Sequence, residues 1–338
     1  MREVYKLTLI LKKYFNINFA RITLIAQMIL SVIKVRTVCL SEAATGFAGK
    51  AEAASNEKRI HRFLKDFPFD TDMVALFVSS KLPEGQWILT TDRTFWEFGR
   101  LKINILMSAV VHKGVAIPLL WKFPGEPDIG KKGNSDTGER IGLMTRFIRL
   151  FGVGRIGALC ADREFIGSEW FGWLRSQGIR IFIRIRENQY ITDSKGIAKQ
   201  GSVLFRDLKF GNSRILRGRR KIGDVSVFIS GMKLSDGEFL IVASFDNPGI
   251  ALETYAERWQ IETMFACLKT KGFGFEDTHL TDLRRIDKLS GIVTVAFVWA
   301  YLVGDRLDEI NPINIKKLSD IGQKVSSDTD MIISEKSL

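Results

Sequence analysis

The chain has 338 residues, 46% of them hydrophobic, and carries 50 Lys and Arg against 38 Asp and Glu for a formal net charge of +12. That is enough apolar sequence for a large core shared among two or three lobes, and the charge favours a polyanionic partner, nucleic acid first. Three widely separated cysteines, Cys39, Cys160 and Cys267, give no disulfide framework and imply a reducing compartment, and His61, His112 and His279 make no zinc-ligand spacing with them.

In chain order, the residues before about Asp70 read as all-helical, with an apolar stretch over 24–35 and a second helix over 56–65. In that second helix Ile60, Phe63 and Leu64 form an apolar stripe, while Lys58, Arg59, Arg62 and Lys65 crowd the rest, a face suited to phosphates or to solvent. The stretch 17–33 is interrupted by Arg21 and Gln27, and 291–304 is too short to span a bilayer. Both read as buried helices, so no membrane or secretory segment is expected. From Trp87 three β runs end at Asp92, His112 and Phe123. A helix over 139–151 follows, with Ile141, Met144 and Ile148 at helical spacing, then a strand to Asp162, a helix around 168–176 and a strand over 179–185. The segment 125–138, rich in Gly, Lys and Asp, predicts a flexible loop. Gly152 to Gly157 matches G-x-G-x-x-G but follows a helix and opens a strand, the reverse of a dinucleotide site, and reads as a connection.

Two of these strands lead into acids. The apolar runs before Asp92 and Asp162 suit strands buried on both faces, and an acid at such a strand's carboxyl end lies where open α/β sheets place their sites. Adjacent strand ends bring carboxylates close enough to repel unless divalent cations draw them together. A third acid lies on a segment, 255–269, that holds neither Gly nor Pro and therefore predicts one continuous helix. At about 100° per residue, Tyr255, Arg258, Glu262 and Lys269 fall within an arc of roughly 60°, beside an apolar stripe of Ile261, Met264, Phe265 and Leu268. Such a ridge suits a phosphate backbone while its carboxylate holds a metal. Each feature alone has a plainer reading, the acids as turn formers or helix caps and the helix as a solvated amphipathic one.

The stretches Thr90-Thr91-Asp92-Arg93-Thr94, Ala161-Asp162-Arg163-Glu164-Phe165 and Tyr255 to Lys269 with Thr270-Lys271-Gly272-Phe273 resemble the catalytic segments of IS4-type insertion sequence transposases, members of the DDE group. The family's Tyr, Arg, Glu, Lys signature is matched at Tyr255, Arg258, Glu262 and Lys269, with two, three and six residues between successive members. The resemblance runs from about Trp87 to about Asp305 and implies an α/β fold, an RNase H-like core with a mixed sheet and flanking helices; three strands before the first long helix agree with that order and not with a Rossmann fold. It also implies that Asp92, Asp162 and Glu262 hold two Mg²⁺ ions, for which Mn²⁺ substitutes, and that Tyr255, Arg258, Lys269 and Lys271 hold DNA phosphates. The implied reaction is cleavage of insertion sequence ends and joining of the 3′ hydroxyl to target DNA. The implied partners are double-stranded DNA and, on that DNA, a second copy of the chain, in a bacterial cytoplasm at the nucleoid. Two alternatives stay open: an RNase H-like nuclease that cuts without joining, and an inactive DNA-binding regulator.

The long interval between Asp162 and Glu262 predicts a β insertion, with alternating runs at 224–229 and 238–242. Its Arg214, Arg217, Arg219, Arg220 and Lys221 form the densest basic patch, expected on the DNA backbone. Some relatives carry in this insertion a Trp that receives a flipped base; here there is none, leaving Phe205, Phe210 and Phe228 as weak substitutes. The expected divisions are a helical DNA-binding region over 1–75, the core over 76–189 and 247–310 with the insertion at 190–246 between its parts, and a polar tail over 311–338. That tail departs from the family's usual basic helical continuation.

Overall fold

The computed structural model describes residues 1–98, 101–123 and 136–311; most of the loop expected at 125–138 and the tail from 312 lie outside the described residues. Five helices come first: α1 (Arg2–Lys12), α2 (Phe19–Val35), α3 (Leu40–Thr45), α4 (Ala53–Asp66) and α5 (Thr71–Ser79). There follow β1 (Trp87–Phe98), β2 (Leu101–His112), β3 (Val115–Lys122), α6 (Thr137–Phe151), β4 (Ile156–Ala161), α7 (Ser168–Ser176) and β5 (Ile181–Ile185). Next come β6 (Tyr190–Thr192), β7 (Ala198–Gln200), α8 (Gly201–Phe205), β8 (Ser213–Ile215), β9 (Arg220–Ile222), β10 (Val225–Lys233) and β11 (Phe239–Ser244). The last three helices are α9 (Ala251–Ala256), α10 (Trp259–Leu268) and α11 (Leu283–Ile310).

The main sheet runs β3-β2-β1-β4-β5-β11-β10-β8, with β9 paired to β10. β1, β2 and β3 are antiparallel neighbours, whereas β4 pairs parallel to both β1 and β5. An antiparallel three-strand meander followed by two parallel strands on the far side of β1 is the RNase H-like core. β4 makes the centre possible because five of its six residues are buried, as a strand covered on both faces requires. The strands expected as an insertion do not stand apart: β11 pairs antiparallel with β5, so β11, β10 and β8 continue the central sheet.

α6 begins at a capping box, Asp136 accepting from the Glu139 N–H while the Glu139 carboxylate accepts from the Asp136 N–H. α11 is far longer than the apolar stretch that announced it. Among the described residues it is the one helix long and apolar enough to cross a membrane, but 72% of its most apolar window is buried inside the protein, against α2, α4, α5 and β3. Trp121 of β3 donates its indole N–H to Asp287 of α11 at 2.6 Å. Burial raises the Asp287 pKa, so losing this donor strips a hydrogen bond from a partly buried acid. Trp121→Phe is expected to cost about 1–3 kcal/mol, read as a lower denaturation midpoint, and an unchanged midpoint would refute the assignment.

Candidate active site

The parallel register of β1 and β4 decides where the first two acids lie. Thr91 stands opposite Ala161 in the last parallel pair, so Asp92 and Asp162 are the next residues on neighbouring strands. Only Asp162 ends its strand. β1 was expected to stop at Asp92 and instead continues to Phe98, because the β1–β2 hairpin goes on pairing, Asp92 with Met107 and Trp96 with Ile103. Trp96 is buried against Phe275, ring centroids 5.0 Å apart, and this anchors the extension.

The third acid comes from the segment after β11. The single helix expected over 255–269 is broken into α9 and α10 at Glu257 and Arg258, where the Arg258 N–H reaches the Tyr255 carbonyl at 2.9 Å and the Ile261 N–H reaches the Arg258 carbonyl at 3.0 Å, three residues back and not four. The tight turn leaves Tyr255, Arg258 and Glu262 facing one way. Arg258, 4% exposed at its side chain, donates from Nη1 to Asp92 Oδ2 at 2.8 Å, from Nη2 to Glu262 Oε1 at 2.7 Å and from Nε to the Tyr255 hydroxyl oxygen at 3.0 Å. The Tyr255 hydroxyl in turn donates to Asp162 Oδ1 at 3.2 Å. One guanidinium and one phenol therefore tie all three acids together.

Electrostatics follow from burial. Desolvation pushes the Asp92 carboxyl up to about 6 against the pull of Arg258 and the Arg93 N–H, with the Glu164 and Asp162 charges adding to the rise. Burial likewise raises the Tyr255 phenol, so it stays a proton donor. A carboxyl whose folded pKa exceeds its unfolded value of 3.8 holds its proton more tightly when folded. Its favourable contribution is present below about pH 4 and lost as pH rises through about 6. In chelator-treated protein, Asp92→Asn is therefore expected to gain stability relative to the parent, by up to about 3 kcal/mol, on going from about pH 4 to pH 7. Denaturation curves at both pH values test this, and a pH-independent difference would contradict it.

Lys269 does not join the cluster. It caps α10 outside helical geometry, bonds the Phe95 carbonyl at 2.6 Å and pairs with Glu276 at 2.7 Å. Lys271 is exposed. In the basic patch Arg214 pairs with Asp207 at 2.5 Å, Arg219 lies over the Phe228 ring at 4.7 Å, Arg217 and Lys221 are exposed and Arg220 is half-buried. Among the described residues none of these bonds to the three acids. Of the aromatic substitutes, Phe205 is wholly buried and belongs to the core, and Phe210 is 68% exposed.

Several residues at the site were given no role from the sequence, although Arg93 and Glu164 lie in the stretches that carry the resemblance. Glu164, two after Asp162, pairs with Arg93 at 3.3 Å and has its second oxygen buried without a partner. Trp259, 53% exposed, lies beside the Arg258 guanidinium, and Phe95, half exposed, has Lys102 and Lys269 over its ring. Adjacency to Asp92, Asp162 and Arg258 in the chain was the available signal for Arg93, Glu164 and Trp259.

A family model described as a transposase DDE domain matches residues 128–299, just over half of the chain. The chain belongs to the transposase DDE-domain family. The matched span holds Asp162, Tyr255, Arg258, Glu262 and Lys269, while Asp92 precedes it and reaches the site through the β1–β4 register. No curated protein matches the chain. Among solved structures, the C-terminal lobe of a budding yeast Argonaute is 12% identical, with 79% of this chain and 58% of that lobe covered and a TM-score of 0.22, a likeness too weak to carry an argument.

Proposed function

We propose that the chain cleaves insertion sequence ends and joins the freed 3′ hydroxyl to target DNA with one site, made of Asp92, Asp162 and Glu262. The observation that carries this reading is the linkage of all three acids through Arg258 and Tyr255, just past the last parallel pair of the central strands β1 and β4, in a chain of the transposase DDE family. Among the described residues no three acids, histidines or cysteines stand close enough to hold an ion as they are. The donors nevertheless suit Mg²⁺ or Mn²⁺: all are carboxylate oxygens, and Asp92, Asp162 and Glu262 together carry more negative charge than Arg258 neutralises. Bound divalent ions supply Lewis acidity for attack on a phosphodiester.

The remaining residues serve position and charge. Tyr255, its hydroxyl kept protonated by burial, donates to Asp162 and holds that carboxylate in one rotamer. Arg258, Lys269 and Lys271 bind phosphates beside the cut, and Arg214, Arg217, Arg219 and Arg220 bind phosphates farther along. In the helical region, taken as residues 1–75, Arg21, Arg59 and Arg62 line one groove with Asp66 and Phe67, and we assign that face to end DNA. The core spans 76–189 and 247–310 on this reading, with the insertion between. A homodimer on DNA brings two ends together, and the working compartment is the bacterial cytoplasm at the nucleoid.

Paired end DNA incubated with a target plasmid under single-turnover conditions tests the reaction. Strand-transfer products are expected; cut ends without joined products would assign a nuclease instead.

A further inference from the structure

Arg258 occupies the position a cation would need, and it is held there by nearly every group such an ion would bind. Its fork takes one oxygen from Asp92 and one from Glu262, while its Nε holds the phenol bonded to Asp162. At 4% side-chain exposure it cannot leave Asp92 and Glu262 without another anion, since a buried guanidinium stripped of its carboxylates is left with an uncompensated charge. Two of the acids are equally constrained, because Asp92 and Glu262 cannot turn fully toward an ion while the guanidinium bridges them. An incoming DNA phosphate matches the bidentate fork as well as a carboxylate does. The backbone allows such an exchange, because Arg258 sits in the tight turn between α9 and α10 and not within a regular helix, and Glu262, one of its two acid partners, is exposed.

We propose that Arg258 couples DNA binding to divalent cation binding: its guanidinium bridges Asp92 and Glu262 until a DNA phosphate takes it, and only then are the acids free for the ion. Arg258 is thus a positioning residue that delays assembly of the metal site until substrate is present. The inference rests on the assignment of Asp92, Asp162 and Glu262 as the ion's ligands. Linkage makes the coupling reciprocal, so the factor by which DNA tightens the cation equals the factor by which the cation tightens DNA.

The test titrates Mn²⁺ into the full chain and follows free ion by electron paramagnetic resonance, with and without a mixed-sequence duplex, subtracting the ion taken up by duplex alone. In the parent chain the duplex is expected to tighten Mn²⁺ binding about tenfold or more, and Mn²⁺ to tighten duplex binding by the same factor. Arg258→Met, which keeps the side chain's length and removes its charge, is expected to bind Mn²⁺ more tightly than the parent without duplex and to gain little when duplex is added. Arg258→Lys, a cation without the fork, should fall between them. Equal Mn²⁺ affinity with and without duplex in the parent overturns the coupling, a result that needs no variant to fold. Asp162→Ala separates the two ideas: if it binds Mn²⁺ as the parent does, the ligand assignment itself fails, whereas weakened binding in Asp162→Ala beside duplex-independent binding in the parent rejects the coupling alone.

Discussion

Asp92→Ala, Asp162→Ala and Glu262→Ala are each expected to lower DNA cleavage by about 10³-fold or more, with duplex affinity changed only a few-fold. The loss is large because three carboxylates serve one task, and for the same reason a double variant should be little worse than a single one. Asp92 and Glu262 also neutralise the buried Arg258, so their removal carries a folding cost that the loss of Asp162, bonded to the Tyr255 hydroxyl, does not. Asp92→Asn and Glu262→Gln, which keep hydrogen-bonding shape, separate the two effects: cleavage should still be lost while the thermal midpoint moves less than in the alanine variants. Rates measured on end DNA, with circular dichroism for folding, decide it. Parental rates in all three alanine variants would leave only a DNA-binding role.

Gly272→Ala is expected to destabilise the protein by about 3 kcal/mol, the range of overpacked sites whose neighbours cannot move aside. A Cβ at this position would lie 2.2 Å from the Cys267 carbonyl oxygen, which is backbone at the end of α10. The chain doubles back closely there, with the Lys271 N–H on the Ala266 carbonyl at 2.9 Å and the Phe273 N–H on the Cys267 carbonyl at 3.0 Å. That reversal carries Phe273 and Phe275 into the core and places Glu276 against Lys269, so the substitution should also loosen the contact of Phe275 with Trp96 under β1. Denaturant titration is expected to show a lower midpoint at constant slope, and a change within about 0.5 kcal/mol would refute the steric argument.

What was readable in the chain was the local pattern. The run 156–161 announced a doubly buried strand, the helix at Ser168–Ser176 and the alternating strands at 224–229 and 238–242 fell where expected, and the offsets of Tyr255, Arg258 and Glu262 placed them on one face. What was not readable depended on distant partners. The extension of β1 past Asp92 is fixed by hairpin pairing to β2 and by Phe275, far along the chain. The break at Arg258 has no Gly or Pro to announce it and coincides with the pull of Asp92 and Tyr255 on one side chain. The departure of Lys269 from the helix face did have a local signal in Gly272 and Gly274, glycines just past the end of α10. The charged ends of α11 hid its length, because Arg284, Arg285, Asp287 and Lys288 at one end and Asp305, Arg306 and Asp308 at the other flank an apolar centre. Joining of β11 to β5 lay beyond any periodicity, since alternation gives a strand's faces and not its neighbours.

The most direct test is anomalous diffraction from crystals of the chain with duplex DNA and Mn²⁺. Anomalous signal is expected beside the carboxylates of Asp92, Asp162 and Glu262, which would hold the metal, with the Arg258 guanidinium turned onto a phosphate. Manganese bound elsewhere, with Arg258 still bridging Asp92 and Glu262 in the DNA complex, would contradict the account.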